Sequence, residues 1–286
     1  MDLSKCREKY HSDICNQILR IIRKSGKEAY PNNADGSNLA SRQIAWGLYE
    51  RIHCSNKYSK LSGQTVGNKF EIITRNFLEN TFSLLEHLRP GKWEYSINKP
   101  ISCFDQYSDL AKIEEIIKLN RELATTLGKD YIVSPDIIIS RVPVTDNEIN
   151  VNNLFLNLEN PLARLTPLRK VNYESDNPIL HASISCKWTL RSDRAQNTRT
   201  EALNLIRSRK GKLPHIVAVT AEPTPIRIAS LALGTGDIDC VYHIALHELR
   251  ESIESLGNAD QLEMLDILVH GRRLRDISDL PFDLAI

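Results

Sequence analysis

The sequence predicts an α/β fold in which a central mixed β-sheet is flanked by helices, with a helical region at the N-terminus. Long segments of the first 90 residues carry apolar side chains at helical spacing. In the second half of the chain, short β-branched runs alternate with helical segments, which is typical of a sheet covered by helices. A chain of 286 residues can also bury a sizeable core.

The N-terminal part alternates between helices and polar loops. Residues 10–25 and 40–54 are predicted helices because isoleucine and leucine recur at three- and four-residue steps. Residues 30–38 and 61–68 are predicted loops because they are rich in Asn, Gly and Ser, which favour turns. A strongly periodic helix is predicted over 70–85, and a Pro-Gly pair soon after it marks its end.

The predicted sheet and its helices follow. The continuous run Ile137-Ile138-Ile139 is expected of a strand that is buried on both faces. Further strands are predicted at 92–98, 181–188, 216–219 and 240–242, and helices at 109–127, 195–208, 244–256 and 260–269. Residues 143–180 contain several prolines and asparagines and are predicted to be an irregular excursion.

No long linker and no internal repeat divides the chain. We therefore expect a single domain over residues 1–286. Within it, residues 1–90 are expected to be mainly helical, residues 91–245 to form the sheet core, and residues 246–286 to form C-terminal helices.

Composition excludes several classes of protein. No run approaches the roughly 20 apolar residues of a membrane helix, and the N-terminus has no apolar segment of a signal peptide, so we expect a cytosolic protein without membrane association. The six cysteines are scattered without the close spacings of zinc sites or disulfide frameworks, and we expect them to be reduced. His243 and His247 have helical spacing but lack a complete metal motif, which argues against a metal site at this pair.

Charge is concentrated in one segment. The formal net charge is only +1, but residues 187–212 hold eight basic side chains and two acidic ones, so the rest of the chain is net acidic. A localised basic segment suits a polyanionic partner such as DNA. A solvated helix face is the alternative, and charge alone does not separate the two interpretations.

Acidic and basic side chains at the predicted strand ends indicate phosphodiester chemistry. Asp136 follows Pro135 at the start of the isoleucine run, and Lys187 lies at the end of the next predicted strand. A carboxylate can hold a hard divalent cation, and a lysine beside that cation can act on the attacking water or on the charge at phosphorus.

Two further acids are candidates for the same cluster. A Pro-Asp pair, a spacer and an acid-x-Lys triplet together are typical of a nuclease core that hydrolyses phosphodiesters. Here the triplet reads Ser185-Cys186-Lys187, with serine in place of the acid, and Glu201 on the following helix can compensate. Glu71 on the long N-terminal helix can turn towards the same place. Each has a plain structural alternative, since Glu71 can pair locally with Arg75 and Glu201 can be a solvated charge.

The segment after Lys187 carries candidate base-reading residues. Arg191, Asp193 and Arg194 follow the lysine closely. Arginine bonds bidentately to guanine, and aspartate accepts a hydrogen bond from cytosine, so this set suits G·C pairs in the major groove.

These residues resemble the PD-(D/E)XK restriction endonucleases, in the group that reads CCGG. Beyond Lys-x-x-x-Arg-Ser-Asp-Arg, the resemblance covers most of the chain. It includes Asn33–Asn38, Gly63-Gln64-Thr65, Gly67-Asn68, Phe70-Glu71, Pro135–Ile138, residues 181–188, Lys212–Val217, and Ala221–Pro225 with Arg227.

The resemblance implies a restriction-endonuclease-like core and a role for each candidate. Asp136 and Glu201 would bind Mg²⁺, Lys187 would be the catalytic lysine, and Glu71 and Ser185 would complete the catalytic set. The implied DNA contacts fall in three groups: the central CCGG read by Arg191, Asp193 and Arg194, the outer G·C pair by Arg227, and the minor groove by Ser37 and Gln64.

The same resemblance implies a prokaryotic, Mg²⁺-dependent type II endonuclease. It would cut double-stranded DNA at the palindrome GCCGGC after the first G, leaving 5′ CCGG overhangs. It would act as a homotetramer, a dimer of dimers that binds two DNA copies.

A sequence-specific DNA-binding protein that does not cleave is the alternative, and it would not need Asp136, Lys187 and Glu201 together. A nuclease without sequence preference would not need Asp193 facing the DNA.

Overall fold

The structure is a computed structural model that describes residues 2–23, 28–55, 57–119, 133–157, 162–170, 177–234 and 236–286. Its strands are β1 (Ile21–Ile22), β2 (Tyr30–Pro31), β3 (Trp93–Ile97), β4 (Ile137–Arg141), β5 (Ile179–Lys187), β6 (His215–Thr220), β7 (Cys240–His243) and β8 (Leu274–Asp276). Its α-helices are α1 (Leu3–Gln17), α2 (Leu39–Arg51), α3 (Gly63–Phe82), α4 (Ser108–Leu119), α5 (Asp146–Ile149), α6 (Ser192–Ser208), α7 (Pro225–Ala232), α8 (Leu246–Leu256), α9 (Ala259–His270) and α10 (Leu280–Ala285).

Six of the strands form one mixed sheet in the order β3-β4-β5-β6-β7-β8. Strands β3, β4 and β5 pair antiparallel, whereas β5, β6, β7 and β8 run parallel. Parallel neighbours need crossover connections, and helices α6 and α8 lie in those connections. The predicted α/β class, a mixed sheet flanked by helices, is confirmed.

The sheet is the centre of the hydrophobic core. Ile137, Ile138 and Ile139 on β4 are fully buried, as their β-branched run predicts. Helix α3 packs across β3 and β5 and also against α1, so the N-terminal helices cover the sheet. This packing brings the N-terminal turn of α3 towards the end of β5.

Capping decides where the N-terminal helices begin. The Asp2 side chain accepts a hydrogen bond from the Lys5 backbone, so α1 starts well before the predicted residue 10 and ends at Gln17. The Ser62 side chain accepts from the Thr65 backbone at 3.0 Å and starts α3 at Gly63. Gln64 and Gly67 therefore lie on a helix, where a loop was predicted.

Several short elements were missed from the sequence. Strand β8 belongs to the C-terminal part of the chain, which was expected to be only helical. Helix α7 begins with a proline, which fits the first helical position, and the small sheet β1–β2 is only two residues long in each strand.

Residues 120–127 of the predicted helix 109–127 lie outside the described residues, as do 158–161 and 171–176 of the predicted excursion.

The expectation of six reduced cysteines is wrong for two of them. Cys15 at the end of α1 and Cys54 after α2 form a disulfide, with their Cα atoms 5.1 Å apart. Helix packing brings together cysteines that are 39 positions apart, which sequence spacing does not reveal. Cys6, Cys103, Cys186 and Cys240 are free.

His243 is a core residue. It is fully buried, and its Nδ1 accepts a hydrogen bond from the Ala245 backbone at 3.1 Å. Within the described part of the chain, no helix has the length and apolar character needed to cross a membrane.

Candidate active site

Asp136 and Lys187 meet at one edge of the sheet. The antiparallel register pairs Ile137 at the start of β4 with Ile184 near the end of β5, so the residues flanking this pair lie side by side. The Lys187 ammonium donates to Asp136 Oδ2 at 2.9 Å, and the Cys186 backbone N–H donates to the same oxygen at 2.7 Å. Both side chains remain about one-fifth exposed, so a ligand can reach them.

Glu201 lies beside this ion pair. It is in the middle of α6, the helix that follows β5, and this connection returns the helix to the strand end. Burial raises the pKa of Glu201, the Lys187 ammonium lowers it and the Asp136 charge raises it again, with a net increase. The Ser185 side chain also interacts with Glu201 and favours its charged form. Glu201 is thus a half-buried acid within electrostatic reach of the ion pair.

Glu71 approaches from α3. Burial and the charge of Asp136 raise its pKa, while a hydrogen bond from the Asn98 side chain at 3.3 Å and the charge of Lys187 lower it. The Arg75 guanidinium donates a hydrogen bond to Glu79 at 2.8 Å, in place of the local pair with Glu71 that the sequence also allowed. Glu71 interacts instead with Asp136 and Lys187. Asn98 was not identified from the sequence, because an asparagine after a strand is an ordinary turn residue.

A cavity of about 390 Å³ adjoins the cluster. Its walls come from α3, from the end of β5 and from α6, and they include Gly67, Lys187, Trp188, Arg194 and Glu201. The cavity therefore combines carboxylate, ammonium and guanidinium groups in one space.

Two carboxylates of the cluster, Asp136 and Glu201, are candidate cation ligands, and the Ser185 hydroxyl interacts with Glu201. Among the described residues, no group of three or more His, Cys, Asp and Glu side chains is arranged to hold a metal ion. The two carboxylates offer a cation oxygen atoms as ligands.

The residues predicted to read bases lie at the start of α6 and around a second cavity of about 440 Å³. Arg191, Ser37 and Arg227 line that cavity, although they come from widely separated parts of the chain. Asp193 is exposed in the first turn of α6. Arg194, also in this turn, donates to the Thr189 hydroxyl at 2.9 Å.

Gln64 lies in the first turn of α3 and is exposed. Its neighbour Gly63 lines the cavity that contains Lys187. Gln64 is thus at the rim of the first cavity and apart from Ser37 and Arg227.

Asp35, which was not predicted as a site residue from the sequence, links the two parts of the second cavity. Its carboxylate pairs with the Arg227 guanidinium and accepts hydrogen bonds from the Ser37 backbone at 2.9 Å and hydroxyl at 2.6 Å. The hydrogen bonds of Ser37 and the charge of Arg227 hold the pKa of Asp35 at about 2. The only sequence signal was its position in the polar segment Asn33–Asn38.

A mixed sheet flanked by helices, with acids and a lysine at one edge and an arginine-rich helix start beside them, corresponds to the restriction-endonuclease class. Comparisons with known proteins agree. The model of the NgoMIV restriction enzyme family matches residues 10–286. The Type II restriction enzyme NgoMIV of Neisseria gonorrhoeae is 52% identical over 260 residues, which cover 89% of this chain and 90% of the relative.

The chain therefore belongs to the NgoMIV restriction enzyme family. This membership confirms the predicted enzyme class, a type II restriction endonuclease.

Proposed function

We propose that this enzyme hydrolyses double-stranded DNA at GCCGGC, after the first G, in a reaction that depends on Mg²⁺ and leaves 5′ CCGG overhangs. The observation that carries the proposal is the Asp136–Lys187 ion pair, which lies next to the cavity shared by Glu201 and Arg194. A catalytic cluster thus adjoins residues suited to reading G·C pairs.

The donor set fits Mg²⁺. This ion prefers oxygen ligands and usually keeps several waters, so that one or two carboxylates are enough to hold it. Asp136 and Glu201 would be those ligands, and each lies beside the Lys187 ammonium. Bound Mg²⁺ would supply positive charge at the phosphate and would make nearby water more acidic.

The remaining groups would orient the reactants. The Lys187 ammonium, held by Asp136, would donate to the attacked phosphate and offset the negative charge that develops there. Ser185 would orient Glu201, and Glu71, held by Asn98, would add negative charge near Asp136. No covalent enzyme intermediate is required, because water is the nucleophile.

Base reading would come from the arginine-rich start of α6. Arg191, Asp193 and Arg194 would contact the central CCGG from the major groove, and Arg227 would contact the outer G·C pair. Two observations support these roles. Arg191, Asp193 and Arg194 are exposed, and Arg191 and Arg227 line the same cavity. Ser37 lines the second cavity and Gln64 lies at the rim of the first, and both would face the minor groove.

The proposed assembly is a homotetramer in the cytoplasm of a prokaryote. A palindrome read by one protein requires a two-fold dimer, and two such dimers would hold two DNA copies. Within the tetramer, each chain would act as one domain over residues 1–286. Sedimentation with a dimer as the largest species, together with equal rates on plasmids with one and two sites, would exclude the tetramer.

Digestion of a fully sequenced plasmid with Mg²⁺, followed by sequencing of the cut ends, tests the proposal directly. We expect ends that begin with CCGG and that come only from GCCGGC. Cleavage at sites with an outer A·T pair at the same rate would show that Arg227 does not read that position. Blunt ends or ends without CCGG would overturn the proposed site.

A further inference from the structure

Glu222 is a buried carboxylate with no role in the proposed reaction. Its side chain is fully buried. Burial alone raises its pKa, so an ionised carboxylate at this position needs strong hydrogen bonds to offset its lost hydration. The structure provides such bonds from two segments of the chain.

One oxygen of Glu222 holds the connection before α6. The Leu190 backbone N–H donates to Glu222 Oε2 at 3.0 Å. Leu190 is itself fully buried and directly precedes Arg191. Since α6 has no side-chain cap at its own N-terminus, this bond fixes the backbone from which the proposed base-reading residues project.

The other oxygen holds the start of α7. The Thr224 backbone N–H donates to Glu222 Oε1 at 3.2 Å, and the Thr224 hydroxyl donates to the same oxygen. Thr224 is the residue before α7, and its carbonyl accepts the first hydrogen bond of that helix, from the Arg227 backbone. The position of Arg227 therefore also depends on Glu222.

A short chain of bonds continues to the catalytic strand. The Glu222 backbone N–H donates to the Thr220 hydroxyl at 3.1 Å, and this hydroxyl donates to the Lys187 carbonyl at 2.7 Å. The end of β5, the start of α6 and the start of α7 are thus tied together through two buried side chains, those of Thr220 and Glu222.

We infer that Glu222 is a positioning residue for sequence recognition, which sets the distance between Arg191 and Arg227 by holding the two backbone segments that carry them. The inference rests on the proposed function, because it takes these two arginines as base-reading residues. A glutamine is not equivalent, since its amide has one acceptor oxygen, and its NH₂ group would face either the Leu190 or the Thr224 backbone N–H. A one-sided attachment would leave one arginine free to shift.

The test measures discrimination by binding, without cleavage. Full-length protein in the absence of Mg²⁺ is titrated with duplexes containing GCCGGC, ACCGGT and an unrelated sequence, for wild type, Glu222→Gln and Thr224→Val. Each variant is also checked for its melting temperature. Asp276→Asn is the matched control, because Asp276 is a buried carboxylate that holds a different helix start, at Leu246, away from both cavities.

We expect Glu222→Gln to reduce the preference for GCCGGC by about tenfold or more, the range for one misplaced bidentate contact. The loss is measured against ACCGGT if Arg227 shifts, and against the unrelated duplex if Arg191 shifts. Thr224→Val should act in the same direction but less strongly, because it removes only the hydroxyl bond. Asp276→Asn should lower the melting temperature and keep the wild-type preference. If Glu222→Gln does not fold, Thr224→Val decides the question.

Two results would overturn the inference. Wild-type preference for GCCGGC over both ACCGGT and the unrelated duplex, in folded Glu222→Gln or in Thr224→Val where that variant decides, would show that the carboxylate positions neither arginine. Equal loss of discrimination in Asp276→Asn would show general loosening of the fold. Failure of the proposed function is distinguishable, because wild-type protein itself would then bind GCCGGC and ACCGGT equally.

Discussion

The Lys187 ammonium lies 2.9 Å from a carboxylate oxygen of Asp136, a residue 51 positions earlier in the chain. Neither side chain could reach the other without the antiparallel pairing of β4 and β5, whose register brings the start of β4 beside the end of β5. The same oxygen is also fixed by the Cys186 backbone. The pair is therefore preorganised by the sheet, and preorganised charge is what phosphoryl chemistry needs.

Lys187→Met should remove cleavage while preserving specific binding. The substitution keeps much of the side-chain volume but removes the ammonium that faces Asp136. We expect the cleavage rate to fall by about 10²–10³ or more, the usual range for loss of one group that stabilises developing charge. Gel-shift titration on GCCGGC beside single-turnover cleavage makes the comparison, and a variant that cuts within tenfold of wild type would exclude Lys187 from the chemistry.

Glu201→Ala should also abolish cleavage, because Asp136 alone would hold Mg²⁺ weakly. In that background, Ser185→Glu should restore part of the Mg²⁺-dependent activity, since the strand position two residues before Lys187 then carries the missing charge. Single-turnover rates at several Mg²⁺ concentrations measure both effects. Near-wild-type cleavage by Glu201→Ala would show that Glu201 is only a half-buried helix charge. Failure of the double variant alone would be weaker evidence, because a carboxylate misplaced by about 1 Å can be inactive.

Asp35→Asn should weaken the reading of the outer base pair. The change removes the charge that holds Arg227 and leaves a side chain of nearly the same shape. We expect the rate ratio between GCCGGC and ACCGGT to fall, by less than the roughly 1–3 kcal/mol expected for Arg227→Ala. Glu251→Gln is a matched control, because it breaks the exposed Arg51–Glu251 ion pair elsewhere on the protein. An unchanged ratio in Asp35→Asn would show that Arg227 needs no such partner.

The Cys15–Cys54 disulfide should stabilise the N-terminal helices. It closes a segment of 39 residues, for which chain entropy predicts about 4 kcal/mol of stabilisation. Cys54→Ser should lower the free energy of unfolding by that order under oxidising conditions and have little effect in the presence of a thiol reductant. Cys103→Ser, at a free half-buried cysteine, is the control and should respond equally in both conditions. Identical urea curves for wild type with and without reductant would contradict a stabilising disulfide.

Buried histidines should make the fold sensitive to mild acid. Burial lowers the pKa of His181 to about 3 and that of His243 to about 4. As the pH falls below about 6.5, the unfolded chain binds protons at these sites while the folded chain does not, so stability decreases with decreasing pH.

Between pH 7.5 and 5.5 we expect a loss of roughly 3 kcal/mol from the two histidines together, measured by urea denaturation. His181→Gln should reduce the dependence on pH, because glutamine does not titrate in this range. A glutamine can still donate to the Leu284 carbonyl that His181 contacts at 2.8 Å, so the fold is kept. A pH dependence that is the same in this variant would assign the effect to other groups.

The local patterns of the sequence predicted the types of element where a pattern was long. The buried isoleucine run of β4 and the periodic helix α3 carried unambiguous signals. Strand β8 carried no such signal, because three residues are too few to show an alternation of apolar and polar side chains. Its strand character comes from pairing with β7. The Ser62 cap moved the start of α3, which put Gln64 on a helix.

For the site, the sequence by itself determined the residue types and, through the resemblance, the family of the enzyme. Only the tertiary structure decided which of these groups meet. Asp35 and Arg227 are 192 positions apart, and Glu222 joins two separate segments, Leu190 and Thr224. Such contacts depend on strand register and helix packing across the whole chain. Local composition cannot encode them, because each partner alone is an ordinary polar residue in a turn or at a helix start.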